Sequence, residues 1–270
     1  MKEYANSVKL LLKSNREKLL NGDQNNGICY DGVVDNAIYN EQEIKVVVLM
    51  KETNGNTHDG QKQEIQHDWD YTGWLKHQQV DNEPEQRIRN SVEYIEYNVF
   101  YHSTFRKLCW WLSILFDTFE TGTADAEKFL KNGAVDIDVV RKVLSRVALV
   151  NLKKTWGTEK TDPGALEAYA LKQDISEILR EELDVLDAKL VLCCSPDVYG
   201  IIKKVYGGKG TEIEAPSKVI AEKFMKVTCI DEKYFVEFYH PQYYGVKDAV
   251  FGAYAEEVFM WITETVLKSL

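Results

Sequence analysis

Three polar residues, Glu52, Asn151 and His240, each stand where an apolar run of the sequence ends. Their side chains have complementary chemistry. A carboxylate orients water or stabilises a positively charged sugar, and an imidazole donates a hydrogen bond to a departing oxyanion. An amide offers a donor and an acceptor together, which suits the edge of a nucleobase. These three groups therefore suit the hydrolysis of a bond between a sugar and a nitrogen heterocycle.

The runs that precede these residues have the composition of buried strands. Residues 44–50, 147–150 and 234–239 are nearly continuous apolar segments, a pattern typical of parallel strands that are covered on both faces. In open α/β sheets, ligands bind in the crevice beyond the carboxyl ends of parallel strands. We therefore expect the three polar side chains to lie at one edge of a sheet and to face a common site.

Helical patterns separate these strands. The clearest helix start is Asp162-Pro163, an N-cap residue followed by proline, and the helix leads to a further strand at 189–194. Strand, helix and strand in this order predict a right-handed crossover between parallel strands. We also expect an N-terminal helix at 3–20 and a helical insertion at about 85–119.

Together these patterns predict one α/β domain over residues 1–270. We expect a three-layer sandwich with a central, mostly parallel and roughly four-stranded sheet that is flanked by helices. A charged turn at 231–233 predicts a hairpin whose second strand ends near His240.

The composition restricts the environment and the partners. No apolar run approaches the ~20 residues of a membrane span, and the first residues carry Lys2, Glu3 and Lys9 rather than the apolar block of a secretory signal. We therefore expect a cytoplasmic protein with no membrane contact. The net charge of −10 gives no general attraction to nucleic-acid phosphates, so phosphate contacts would need a local basic patch. The candidate residues for such contacts are Lys153 and Lys154, in a patch that would also include Lys203, Lys204 and Lys209.

Metal chemistry has little support in the sequence. Three histidines, His58, His67 and His77, are spaced nine and ten residues apart in a polar loop, without a helical His-x-x-x-His pair. The five cysteines include no Cys-x-x-Cys pair, which predicts buried free thiols. We expect no metal, no iron–sulfur cluster and no other cofactor. A metal-dependent hydrolase therefore has less support from the sequence than a hydrolase of N-glycosidic bonds or a binding module.

Three segments resemble motifs of the uracil-DNA glycosylase superfamily. The first is VVVLMKETNG at 46–55, which is similar to the strand and acidic loop that activates water. The second is VALVNLKK at 147–154, which is similar to the strand that ends in the base-recognising asparagine, and the third is FYHPQ at 238–242, which is similar to the His-Pro-Ser motif. The chain departs from the family pattern at Lys51, Asn54 and Gln242.

The resemblance implies a role for each of the three polar residues. Glu52 would polarise the water or stabilise the sugar cation, Asn151 would read the pyrimidine edge, and His240 would steady the O2 anion of the departing base. Thr53 and Asn54 would contact the substrate from the acidic loop. A glycosylase also needs an aromatic platform for a base that has left the stack. The candidates for that platform are Trp69, Tyr71, Trp74 and Tyr243.

Two functions remain open at this point. The first is a uracil-DNA glycosylase-like hydrolase that cleaves the N-glycosidic bond of a deaminated or modified base in DNA or in a related nucleotide. The alternative is a non-catalytic module on the same fold that binds a nucleobase, a nucleotide, a nucleic acid or a partner protein, and the acidic net charge favours it. Because one fold hosts many functions, only the geometry and chemistry of the site can distinguish these two functions.

Overall fold

The computed structural model describes residues 2–22, 26–54, 68–73, 75, 85–89, 92–96, 103–131, 134–136, 142–157, 161–215, 226–241 and 248–267. Within these ranges the chain forms a mixed seven-stranded sheet with helices, which confirms the predicted α/β class. The sheet is larger than the roughly four strands expected. None of the described helices is both long enough and apolar enough to cross a membrane.

The strands are short at the edges of the sheet and long at its centre. In chain order they are β1 (Cys29–Tyr30), β2 (Gly32–Val33), β3 (Val46–Asn54), β4 (Trp69–Asp70), β5 (Glu85–Arg89), β6 (Val92–Glu96), β7 (Leu130–Lys131), β8 (Ala134–Val135), β9 (Val147–Gly157), β10 (Leu190–Cys194), β11 (Thr211–Ile213), β12 (Val227–Ile230) and β13 (Lys233–Phe238). The large sheet has the order β11-β12-β13-β10-β3-β9-β2, and three two-stranded pairs are formed by β1 with β4, β5 with β6 and β7 with β8.

Four adjacent strands of the large sheet, β13, β10, β3 and β9, run parallel to one another, whereas β12 and β2 pair antiparallel at the two sides. The register aligns Phe238 with Cys194 and Met50 with Asn151. The carboxyl ends of these strands therefore meet at one edge of the sheet, where the sequence predicts the polar side chains to lie.

The helices lie on both faces of this sheet. They are α1 (Tyr4–Ser14), α2 (Arg16–Leu20), α3 (Asn36–Glu41), α4 (Ser103–Thr121), α5 (Pro163–Ala170), α6 (Gln173–Val185), α7 (Pro196–Val205) and α8 (Asp248–Leu267), with short 3-10 helices at Glu127–Phe129 and Leu144–Arg146. Val46 and Val48 pack in the core that contains α4 and α8, and Val47 and Leu49 pack in the core that contains α1, α5, α6 and α7. Because both faces of β3 are buried here, its first five residues are apolar without alternation.

Local signals place the helix that follows β9. Asp162 Oδ1 accepts hydrogen bonds from the backbone N–H groups of Gly164 at 2.8 Å and Ala165 at 3.2 Å. This cap satisfies two donors that the first turn of a helix leaves without intrahelical partners. The predicted helix start at Asp162-Pro163 is confirmed, although the helical region divides into α5 and α6.

Two predicted helices differ in the structure. The N-terminal helix expected at 3–20 is divided at Asn15, whose Nδ2 donates to the carbonyl oxygen of Leu11 at 3.0 Å and so competes with the helical backbone bonds. The helical insertion expected at 85–119 begins with an antiparallel pair of strands, and α4 covers only its second part. Val92–Glu96 pairs with Glu85–Arg89, so this segment is extended where the apolar pattern predicted a helix.

Candidate functional site

The strand order reverses between β3 and β10, because the chain continues from β3 toward one side of the sheet and from β10 toward the other. The ligand crevice is expected at the carboxyl ends of these two strands. After β3 the chain forms β9 on one side, and it then returns past β3 to form β10 and β13 on the other side. Open α/β sheets bind ligands where the strand order reverses in this way. Lys51 on β3 joins the two sides there, since its Nζ donates to Oδ2 of Asp197 at 2.8 Å.

Glu52 lies at this edge and is paired across to β9. The register places Glu52 opposite Lys153, and Lys153 Nζ donates to Glu52 Oε2 at 2.9 Å. The Glu52 side chain is only 5% exposed, whereas that of Lys153 is 28% exposed. The ammonium group therefore holds a nearly buried carboxylate within the carboxyl-terminal parts of two parallel strands, and Glu52 lies inside β3 rather than after its end. A carboxylate held in this way can orient a water molecule or face a sugar cation.

Asn151 lies inside β9 rather than at its end, because the strand continues to Gly157. The expectation that the strand ends at Asn151 is therefore wrong. Val150 and Leu152 pack in the core with α1, α5, α6 and α7, so Asn151 between them faces the side of α4 and α8. Met50, its register partner, also packs on that side, which puts Glu52 on the same face about 8 Å further along the sheet.

Asp31 holds Asn151 and was not identified from the sequence. β2 pairs antiparallel with β9 only at Gly32 and Val33, opposite Leu149 and Ala148. Asp31, which precedes β2, therefore lies beside the next part of β9. Its Oδ2 accepts from Asn151 N at 2.6 Å and from Asn151 Nδ2 at 3.1 Å. The contact joins residues 120 positions apart, and the only local signal is a turn-forming Asp-Gly pair in a short apolar segment.

Lys154 belongs to a buried charged cluster that we call the Asp31–Lys154–Glu182 cluster. Its Nζ lies 2.7 Å from Asp31 Oδ1 and 2.7 Å from Glu182 Oε2, and all three side chains are 0% exposed. The assignment of Lys154 as a phosphate contact is therefore wrong, because its ammonium is paired with two interior carboxylates. The alternation of side chains along β9 explains the difference, since Lys153 faces α4 and α8 whereas Lys154 faces the opposite core.

Burial and neighbouring charges shift the pKa values of two groups in this cluster, Lys154 and Glu182. Burial acts to lower the pKa of Lys154, but the negative charges of Asp31 and Glu182 outweigh burial and raise it. Burial raises the pKa of Glu182 to about 8, with a further increase from Asp31 and a partial decrease from Lys154. The folded protein therefore favours a protonated Glu182 beside an ammonium group that stays charged.

Replacing Glu182 with glutamine is expected to flatten the pH dependence of stability. The folded protein keeps the Glu182 proton up to a pKa of about 8, whereas the unfolded chain releases it near the ordinary value of 4.5. The folded state thus binds more protons in this window, so its free energy of unfolding should fall as the pH rises through it. Glutamine has no proton to release, and the variant should lose this contribution.

Urea unfolding at the two ends of that window measures the effect. Glu181→Gln, an exposed substitution on the same helix, is the matched control and should follow the wild type. Equal pH dependence in all three proteins would contradict the assignment to Glu182.

His240 lies two residues beyond β13 and is half-buried. Burial, followed by the positive charge of Lys51, lowers the pKa of the imidazole, so the neutral form is favoured at neutral pH. Because β13 pairs with β10 and β10 pairs with β3, His240 lies at the same carboxyl edge of the sheet, two strands away from Glu52. A neutral imidazole still carries one N–H group, which can donate a hydrogen bond to a developing anion.

The aromatic candidates occupy different positions. Trp69 and Tyr71 have ring centroids 5.0 Å apart, and Trp69 is half-buried. Tyr71 is packed in the core, and burial, with further contributions from Cys29 and Asp31, raises its pKa. The ring of Tyr71 therefore presents no open face for stacking, contrary to its predicted role as a platform.

Several predicted residues cannot be placed. Trp74, Tyr243 and the three loop histidines lie outside the described residues, and so do the side chains of Thr53 and Asn54 on β3. All five cysteines are free and four of them are buried, which confirms the predicted thiols. In the part of the chain that the structure describes, no three His, Cys, Asp or Glu side chains form a group suited to a metal ion.

The structure thus brings Glu52 and Asn151 to one face of neighbouring strands, and His240 follows β13 at the same carboxyl edge of the sheet. Comparisons of the chain with protein-family models, with curated proteins and with solved structures give no match.

Proposed function

We propose that the protein is a uracil-DNA glycosylase-like hydrolase of N-glycosidic bonds, acting on a deaminated or modified base in DNA or in a related nucleotide. The observation that carries the proposal is that the Glu52 carboxylate and the Asn151 amide lie on the same face of two adjacent parallel strands, β3 and β9. The proposal is supported by the four adjacent parallel strands within the mixed seven-stranded sheet, which has helices on both faces.

Each group has a role that fits its surroundings. Glu52, held by Lys153 at 2.9 Å, would orient the attacking water or stabilise the cationic sugar. Asn151 would pair with the base edge through its amide. His240, whose lowered pKa favours the neutral imidazole, would donate a hydrogen bond to the departing base.

Substrate binding by this site requires a covering group to move. Asn151 is 2% exposed and the Glu52 side chain is 5% exposed, so a base reaches them only after a neighbouring side chain opens. Closure over the reacting atoms excludes water and strengthens the electrostatic interactions of the site. We propose that the described arrangement is the closed form of the pocket.

A binding module without catalysis is the second candidate. It is favoured by the two lysines, because Lys154 is buried with two carboxylates and Lys153 is paired with Glu52. With a net charge of −10, the protein has little to offer a long phosphate backbone. A free base or a nucleotide would therefore suit this module better than duplex DNA.

Base release from defined substrates tests the proposal. Single-stranded and double-stranded oligonucleotides that carry uracil, hypoxanthine or other modified bases are scored for abasic sites, together with the corresponding nucleotides. We expect release from at least one of them. No release, combined with measurable binding of a free base or nucleotide, would assign the pocket to the binding module.

The structure also identifies a substitution to avoid in this test. Asn151→Asp would ordinarily probe recognition of the base edge, but it places a second carboxylate against Asp31 Oδ2, which now accepts from Asn151 Nδ2 at 3.1 Å. Repulsion between two buried carboxylates would disturb the site whether or not it reads a base.

A further inference from the structure

We propose that Asp31 is a positioning residue that fixes the orientation of the Asn151 amide and thereby selects the pattern of donors and acceptors that the site accepts. The fixed orientation follows from the geometry of the two residues. The consequence for base selection rests on the proposed function.

The contacts of Asp31 define which end of the amide faces it. Its carboxylate meets three donors, which are the backbone N–H of Asn151 at 2.6 Å, Asn151 Nδ2 at 3.1 Å and Lys154 Nζ at 2.7 Å. A carboxylate accepts in each of these bonds. If the amide turned over, its oxygen would replace Nδ2 and would face a carboxylate oxygen without a proton between them. The amide is thus held with Nδ2 toward Asp31 and Oδ1 away from it.

Asp31 is itself held from two directions. Lys154 and Glu182 are 0% exposed and fix the carboxylate from the interior. Gly32, the next residue, has a φ of +118°, and a Cβ there would lie 3.0 Å from Val8 Cγ1, so this segment is pressed against α1. The positive φ and the close approach both favour glycine. These constraints leave Asp31 little freedom to follow a rotation of Asn151.

A fixed amide distinguishes bases whose edges have opposite patterns. Uracil presents an N3–H donor beside an O4 acceptor, whereas cytosine presents an N3 acceptor beside an N4 amino donor. One orientation of an amide therefore fits one of these edges, and the turned orientation fits the other. An amide that turns freely would accept both. Asp31 would accordingly set specificity without contacting the base.

Asp31→Asn is the variant that tests this inference. It removes a charge that raises the pKa of Glu182, so Glu182 would ionise more readily beside Lys154. The buried charges would then stay balanced, and the variant is expected to fold. The introduced amide has both a donor and an acceptor, and Lys154 would attract its oxygen, which turns its amino group toward Asn151. The Asn151 amide would then favour the turned orientation, in which its oxygen accepts from the introduced amino group.

The orientation is measured by NMR without any ligand. In the wild type, we expect the Asn151 Nδ2 protons to exchange at least about tenfold more slowly than those of the exposed Asn6, because a hydrogen bond to a buried acceptor protects them. In Asp31→Asn this protection should be lost. Unprotected Asn151 protons in the wild type, or equal protection in the variant, would overturn the positioning role.

Base selection is measured from the dissociation constants of free uracil and free cytosine. The ratio of these constants should move by about tenfold or more toward equality or reversal in Asp31→Asn. Asp184→Asn, which removes an exposed carboxylate from α6, is the matched control and should keep the wild-type ratio. An unchanged ratio in Asp31→Asn, despite loss of amide protection, would overturn the selection of bases by Asp31.

The two measurements separate this inference from the proposed function. If the wild type neither binds nor releases any base, the proposed function fails and the claim about selection falls with it. The exchange measurement then still decides whether Asp31 fixes the Asn151 amide.

Discussion

Replacing Lys154 with methionine is expected to destabilise the protein by about 3–5 kcal/mol, the range found when one partner of a buried ion pair is removed. Methionine fills a similar volume, so the loss is mainly electrostatic. Lys154 Nζ lies 2.7 Å from a carboxylate oxygen of both Asp31 and Glu182, and all three side chains are 0% exposed. Without the ammonium, the interior would retain two carboxyl groups with no cation beside them. The free energy of unfolding in urea measures the effect.

A surface lysine provides the matched control for this substitution. Lys204 pairs with Glu167 at 2.6 Å, but the two side chains are 54% and 39% exposed. Lys204→Met should therefore cost less than about 1 kcal/mol. Adding Asp31→Asn to Lys154→Met should recover part of the lost stability, because it removes the buried charge of Asp31 that no longer has a cation beside it. If Lys154→Met is no more destabilising than Lys204→Met, the buried cluster does not stabilise the fold as argued.

Replacing Glu52 with glutamine is expected to lower the single-turnover rate of base release on the order of 100-fold, with little change in substrate affinity. Glutamine keeps the shape of the side chain but has no negative charge to orient water or stabilise a cationic sugar. Lys153, which now donates to Glu52 at 2.9 Å, is 28% exposed and can turn toward solvent when its partner is neutral. The substrate is the oligonucleotide or nucleotide on which the wild type is most active.

Glu167→Gln is the control for this rate measurement, because it removes an exposed carboxylate that is paired only at the surface. We expect it to retain the wild-type rate. If Glu52→Gln releases the base as fast as the wild type, Glu52 has no part in the chemistry. A loss of affinity with an unchanged rate would instead assign Glu52 to binding.

These predictions depend on contacts that differ in how far apart their residues are in the chain. Glu52 and Lys153 are 101 positions apart, and Asp31 and Asn151 are 120 positions apart. Both contacts arise because β3 and β9 pair in a parallel register and because β2 leaves the edge of β9 just before Asn151. Hydrophobic patterns identify which segments form strands, but they contain no information about which strands become neighbours.

The sequence by itself determined the features that depend on neighbouring residues. The buried strand at 46–50 follows from a continuous apolar run, the start of α5 from a capping aspartate before proline, and the hairpin of β12 and β13 from a short charged turn. Local patterns failed at Asn15, where a side chain competes with the helix, and at 85–96, where two strands pair with each other although the apolar pattern predicted a helix.

Only the tertiary structure decided what the polar residues do. Lys153 and Lys154 are adjacent and chemically identical, yet one pairs with Glu52 at the sheet edge and the other is buried with Asp31 and Glu182. The reason is that successive side chains of a strand point to opposite faces, and the layer packed on each face then sets the solvation and the charge that each side chain meets.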